Sequence, residues 1–168
     1  MPISSRDDYL LRMIQDLARA LARVLLRKRE RDFGGALRET RDAIGELLGA
    51  RAELAQRLDS ETAAHLVGEP EVMAGWARLV AEEAGIWREL DRPDDAAALD
   101  RRALELALEA HLRFARPRAE VVAFIERLRP AVDEASLAPR HRDALAELRP
   151  SGALPPSEHP VFPPLEFD

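Results

Sequence analysis

At 168 residues, 46% hydrophobic and only 5% aromatic, the chain can bury one core. That core must be built mainly of Leu, Ala and Val, which suits helices better than sheets. A net charge of −6 argues against a general nucleic-acid or membrane-surface binder, and the lack of cysteine excludes disulfides, thiolate metal sites and cysteine nucleophiles.

Ser4 or Ser5, followed by Asp7 and Asp8, makes a helix start, and the helix runs from about Arg6 to Arg31. At 100° per residue, Arg12, Gln15, Asp16, Arg19, Arg23 and Glu30 share one side. The apolar residues Tyr9, Leu10, Leu11, Met13, Ile14, Leu17, Leu21, Val24, Leu25 and Leu26 cover about two-thirds of the circumference, more than one helical neighbour can bury. This helix must therefore be covered on two sides, either by a second copy of the chain or by burial at the centre of the monomer under helices 117–128 and 139–148. We expect a homodimer, with Leu10, Leu11, Ile14, Leu21 and Leu25 as its interface. The run Arg27-Lys28-Arg29-Glu30-Arg31 reads as a solvated helix end beside the C-terminal dipole, with a phosphate patch as the lesser reading.

Asp32 reads as the cap of a helix whose stripe is Phe33, Ala36, Leu37, Thr40, Ile44, Leu47 and Leu48, stopped at Gly49. Gly34 and Gly35 lack the lysine and further glycines of a phosphate loop. Residues 50–68 hold a short helix with Leu54 and Leu58, then a turn capped by Asp59 or Ser60 and stopped at Gly68.

Pro70 opens the first helix of a central hairpin. Met73, Trp76, Leu79, Val80, Ala84, Trp87 and Leu90 form one buried face, with Trp87 in the core. Asp91-Arg92-Pro93 turns the chain, Asp91 is expected to cap the next helix, and Pro93, Asp94 and Asp95 suit its first turn. That helix carries Ala96, Leu99, Ala103, Leu106, Ala107, Ala110 and Phe114, and the small residues Ala84, Ala96 and Ala103 allow close approach. With Ala84 and Trp87 in one helix and Ala96 and Ala103 in the next, the hairpin resembles a tetratricopeptide-type unit. It departs from that pattern at Asp100, where a large apolar residue is usual, and at Val80, where the family has Trp. Ala36 and Ala43 lie 60 positions before Ala96 and Ala103, so extra helices must intervene between two such units. Asp8-Tyr9-Leu10, Arg12, Ile14 and Ala20-Leu21-Ala22, leading into Asp32-Phe33 and Ala36-Leu37, also resemble a group of small bacterial proteins with this helix-plus-hairpin layout. That likeness implies a fold and no catalytic residues.

Pro117 opens a helix with Val121, Val122, Phe124, Ile125 and Leu128, closed before Pro130. A last helix spans about Pro139 to Leu148, with Ala144, Leu145 and Leu148 inward. From Pro150 the prolines favour an extended tail, whose Val161, Phe162, Leu165 and Phe167 are expected to dock on an apolar groove. The domain division is 1–149 helical and 150–168 tail.

His65, His111, His141 and His159 lack metal-ligand spacing and read as surface or rim residues; Glu105, Glu109 and His111 form the nearest local constellation. Asp91, Asp94 and Asp95 lack the further ligands of a calcium loop. The serines stand in no nucleophile motif and read as caps and linker. Trp76 and Trp87, about three turns apart, read as core.

These elements imply an all-α array or bundle of about six or seven helices, tetratricopeptide-like, with a proline-rich tail. Arrays of this kind usually bind peptides or proteins, so the expected function is a non-catalytic interaction or scaffold module without a cofactor. Its expected partners are a second copy and an unidentified protein or peptide, with no membrane and with nucleic acid disfavoured. A helical-bundle enzyme or metal protein is one alternative, and a nucleic-acid regulator using the arginine-rich end of the first helix is another. A cytoplasmic location is expected, because Met1 to Asp8 lacks a signal-peptide pattern and no apolar run reaches membrane-spanning length.

Overall fold

The computed structural model describes residues 5–148, and every regular element among them is helical. The helices are α1 Ser5–Arg29, α2 Phe33–Leu48, α3 Ala52–Arg57, α4 Ser60–Val67, α5 Pro70–Glu89, α6 Pro93–Arg113, α7 Ala119–Leu128 and α8 Pro139–Glu147. Only α3 is shorter than eight residues. Residues 149–168, with the docking residues expected at Val161, Phe162, Leu165 and Phe167, lie outside the described residues.

Local chemistry sets most of these boundaries. Asp32 accepts from the Gly35 N–H at 2.9 Å and Asp59 from the Thr62 N–H at 2.9 Å, so each satisfies a first-turn donor that has no helical partner. Gly35 has a steric reason to be glycine, since a Cβ there would stand 2.0 Å from Asp32 Oδ2. Gly49 and Gly68 follow α2 and α4 at φ of 59° and 83°. Pro70 and Pro93 occupy first-turn positions, where a missing N–H costs nothing.

Asp91 does not cap α6. It sits in the left-handed region at φ 58° and ends α5, where its N–H donates to Arg88 O at 3.1 Å and the Arg92 N–H to Trp87 O at 2.9 Å. Its side chain is thereby turned from the N-cap geometry, and the N-cap position falls to Arg92, which makes no side-chain cap bond.

Two antiparallel hairpins, α1–α2 and α5–α6, stand side by side. α5 packs against α6, α2 and α1, while α3 and α4 form the insertion that carries the chain from the first hairpin to the second. α7, α8 and α4 cover α6. The central element is therefore α5, which buries Val72, Ala77 and Ile86 as well as Met73, Trp76, Leu79, Val80 and Ala84. A single buried face, as its spacing predicts, is too little because neighbours lie on several sides. The reading of α1 as a central helix under 117–128 and 139–148 is overturned, since α1 packs against α2 and α5 at the edge of the array.

Ala84, Ala96 and Ala103 are buried where α5 and α6 meet, as expected. Trp87 is not in the core: it is half-buried near the hairpin turn, whereas Trp76 is 2% exposed. The Trp87 Nε1–H donates to Glu83 Oε1 at 3.4 Å, and the Arg92 guanidinium lies 5.5 Å from its ring, so a polar rim covers it. Leu54 and Leu90 are exposed, and Leu99 and Phe114 only half-buried. Asp100 is buried where a large apolar residue is usual in the resembled family, because Arg88 of α5 reaches across to pair with it.

Candidate functional site

The outer face of α1 is the surface least explained by the fold. Met13, Ala20 and Val24 are buried, and Leu10, Ile14, Leu17 and Leu21 are half-buried against the main core. On the far side Leu11 is 55% exposed, Leu25 40% and Leu26 55%, with Ala18 and Ala22 also exposed between them. The expected interface set thus divides. Leu10, Ile14 and Leu21 lean on the fold, while Leu11 and Leu25 point into water together with Leu26, which sequence reasoning placed on the helix but not in that set.

α1 is held to the array by more than apolar contact. Lys28 Nζ reaches Glu82 of α5 at 3.2 Å, Arg23 Nε reaches Glu39 of α2 at 2.9 Å, and Arg27 pairs with Asp32 at 2.8 Å. The basic end of this helix is therefore largely committed to carboxylates of the same chain. The Arg31 guanidinium lies 5.7 Å from the Phe33 ring.

Between α1 and α2 an open groove of about 260 Å³ has a floor of Met13, Ala20, Ala43 and Leu47 and a rim of Arg12 and Asp16. Its floor suits an apolar side chain and presents no nucleophile. Trp76 and Trp87 line neither this groove nor the smaller depression formed by Ala97, Arg101 and Val132.

A second arrangement is built around a buried carboxylate. Glu109 is wholly buried on α6, in the otherwise apolar run Leu106, Ala107, Leu108 and Ala110. Arg140 Nε donates to it at 2.9 Å, His141 Nε2 lies 2.8 Å from its Oε1, and Arg113 closes the group. Burial pushes the Glu109 carboxyl up, but the hydrogen bonds from His141, Arg140 and Arg113 outweigh it and hold the group down to about 2. An ionised carboxylate only accepts, so His141 Nε2 carries the proton in this contact. His141 is thus buried and paired with a carboxylate 32 positions away, not a surface or rim residue.

Chemically the group is closed. Glu109 has both oxygens occupied by cationic or N–H donors and a pKa far from the neutral range that favours general acid–base work. It ties α8 to α6. The local constellation Glu105, Glu109 and His111 is not assembled: Glu105 accepts from Ser60 Oγ at 2.6 Å, and His111 Nδ1 is buried without a hydrogen bond. Burial lowers the His111 pKa, partly opposed by Glu147. Ser60 is likewise buried, accepting from Arg102 at 2.8 Å, so it is a packed link between α4 and α6; Asp59 holds the cap.

Among the described residues no three of His, Cys, Asp and Glu stand together as a metal site, and no helix is long and apolar enough to cross a membrane. The fold defines an all-helical array of two hairpins with an inserted helix pair. Compared with known families, curated proteins and solved structures, the chain gives no match in any of the three.

Proposed function

We propose that the chain is a non-catalytic interaction module, a tetratricopeptide-like helical array that joins other protein through the outer face of α1 and exists as a homodimer. One observation carries this reading: an edge helix keeps Leu11, Leu25 and Leu26 in water although its other side packs against α2 and α5. Fully covering an exposed leucine side chain is worth about 1.5–3 kcal/mol, and these three are about half exposed, so a partner seated there gains about half that increment at each. In stacked helical arrays the terminal element needs a polar outer face for solubility, and α1 lacks one along this line. The α1–α2 groove lies on another side of the helix and stays open to a peptide.

Light scattering across a dilution series tests the proposal. We expect a mass of twice 18.8 kDa at micromolar concentration, reduced to 18.8 kDa by Leu11→Glu or Leu25→Glu with the helical circular dichroism unchanged. A chain of 18.8 kDa at every concentration overturns the homodimer.

A further inference from the structure

We infer that the groove between α1 and α2 is the seat of the chain's own proline-rich segment, residues 160–167, which a partner peptide must displace. This rests on the reading of the array as an interaction module and names the segment its groove takes; it does not depend on the homodimer.

The groove and the end of α8 lie at the same end of the array. Arg23 of α1 pairs with Glu39 of α2, Arg41 of α2 with Glu83 of α5, and Arg88 of α5 with Asp100 of α6. Neighbouring helices therefore alternate in direction, and the starts of α1 and α5 share one end with the last turns of α2 and α6. The groove, running from Tyr9 and Glu46 to Ala20, opens there. At that end Arg140 and His141 hold Glu109 of α6, and Glu147 acts on His111. From Leu148 to the groove is a crossing of α6 and α5, roughly 24–30 Å. The stretch from Leu148 to Val161 spans about 40 Å in the extended form that prolines favour, so the segment reaches the groove of its own chain.

The shapes agree. Pro160, Pro163 and Pro164 favour a left-handed extended helix of three residues per turn. Val161, Pro164 and Phe167 then share one edge, and Phe162 and Leu165 the next. The first edge is about 19 Å long, and the groove from Tyr9 to Ala20 about 16 Å along α1. Its floor is apolar, and Tyr9 supplies the aromatic lip on which proline-rich segments pack. The depression at Ala97, Arg101 and Val132 lies toward the other end with a floor mainly of alanine, and the Leu11–Leu25 ridge is a convex helix face. On the α1 lip Asp16 pairs with Arg19, whereas Arg12 has no ion pair among the described residues. Residues 158–168 carry only acidic charges, Glu158, Glu166 and Asp168, so these belong beside Arg12 and away from Glu46 of α2. A segment tethered this closely acts at an effective concentration of about a millimolar, so modest affinity keeps it seated.

Amide spectra of the full chain test the seat. Phe162→Asp with Phe167→Asp should move the resonances of Tyr9, Arg12, Asp16 and Glu46 and leave those of Ala97 and Arg101 in place. A synthetic peptide of residues 158–168 should return them, and should bind this variant at least roughly tenfold more tightly than the wild type, whose own segment competes. Arg12→Glu in the variant should weaken the peptide about threefold, and Glu46→Arg should strengthen it. Leu25→Glu, which reads the homodimer, should leave the groove resonances unmoved. Shifts confined to Ala97 and Arg101, or to the Leu11–Leu25 ridge, overturn the groove as the seat. A peptide bound equally by variant and wild type, with no shift from the tail substitutions, overturns self-occupancy and leaves the interaction module standing. A dimer that the tail substitutions split places the segment in a neighbouring copy and overturns the seat within one chain.

Discussion

Arg31 and Asp91 stand 60 positions apart and hold the same left-handed conformation, φ 58° at each. Each ends the first helix of a hairpin, and the backbone bonds match: Arg31 N–H to Lys28 O at 3.0 Å and Asp32 N–H to Arg27 O at 2.9 Å repeat those of Asp91 and Arg92. The same offset relates buried pairs on both sides of the turn: Met13 and Met73, Ala36 and Ala96, Ala43 and Ala103, Leu48 and Leu108. The two hairpins are thus one structural unit used twice, with α3 and α4 set between them.

A left-handed conformation costs an L-residue roughly 1–2 kcal/mol, less for aspartate, and glycine avoids it. Asp91→Gly should therefore stabilise the fold by about 0.5 kcal/mol, and Asp91→Val, whose branched side chain tolerates that region poorly, should destabilise it by more. Urea unfolding of the three proteins measures this. Equal midpoints for glycine and valine would show that the turn is not held in that conformation.

Trp76 and Trp87 should separate cleanly. Trp76→Ala empties a fully enclosed site and should cost about 3–5 kcal/mol. Trp87→Ala removes a ring already half in water and should cost less than half as much. Thermal melting of both variants compares them, and a larger loss at Trp87 would contradict the arrangement of α5.

Glu109 should govern acid stability. Its folded pKa of about 2 lies below the ordinary 4.5, so the folded state favours the charged form. The stabilisation is present in full above about pH 4.5 and is lost as pH falls from there toward 2. Glu109→Gln should flatten the dependence of Tm on pH across that window. Glu109→Ala, which strands His141 and the two arginines, should cost about 3 kcal/mol and speed amide exchange in α8 before the rest of the chain. Unchanged exchange at residues 139–147 would mean that the carboxylate does not hold α8.

Gly35→Ala should uncap α2. The new methyl group displaces the Asp32 carboxylate from the Gly35 N–H, because the two cannot share that space. Amide exchange at Gly35 and Ala36 should accelerate with a lowered Tm, and Asp32→Ala in the same background should add little further loss.

Where most helices begin and end was legible in the sequence, the start of α6, where Asp91 is not the cap, and of α7, two residues after Pro117, excepted. Asp32, Asp59, Gly49, Gly68, Pro70 and Pro93 act through bonds spanning a few residues, so a local pattern of residue types contains the information. The all-helical class followed for the same reason, and so did the insertion implied by the 60-residue offset. What a helix buries against was not legible. The spacing in α5 describes one face, but contacts from α1, α2 and α6 bury it on several sides and place Trp76, not Trp87, at the centre. The one signal that marked Glu109 was a lone carboxylate inside an apolar run, which requires a partner; that His141 and Arg140 supply it was decided only when α8 folded back onto α6. Likewise the width of the apolar arc on α1 was visible in the residues. Which part of that arc stays in water depends on the positions of α2 and α5, because burial is a property of neighbours that lie far along the chain.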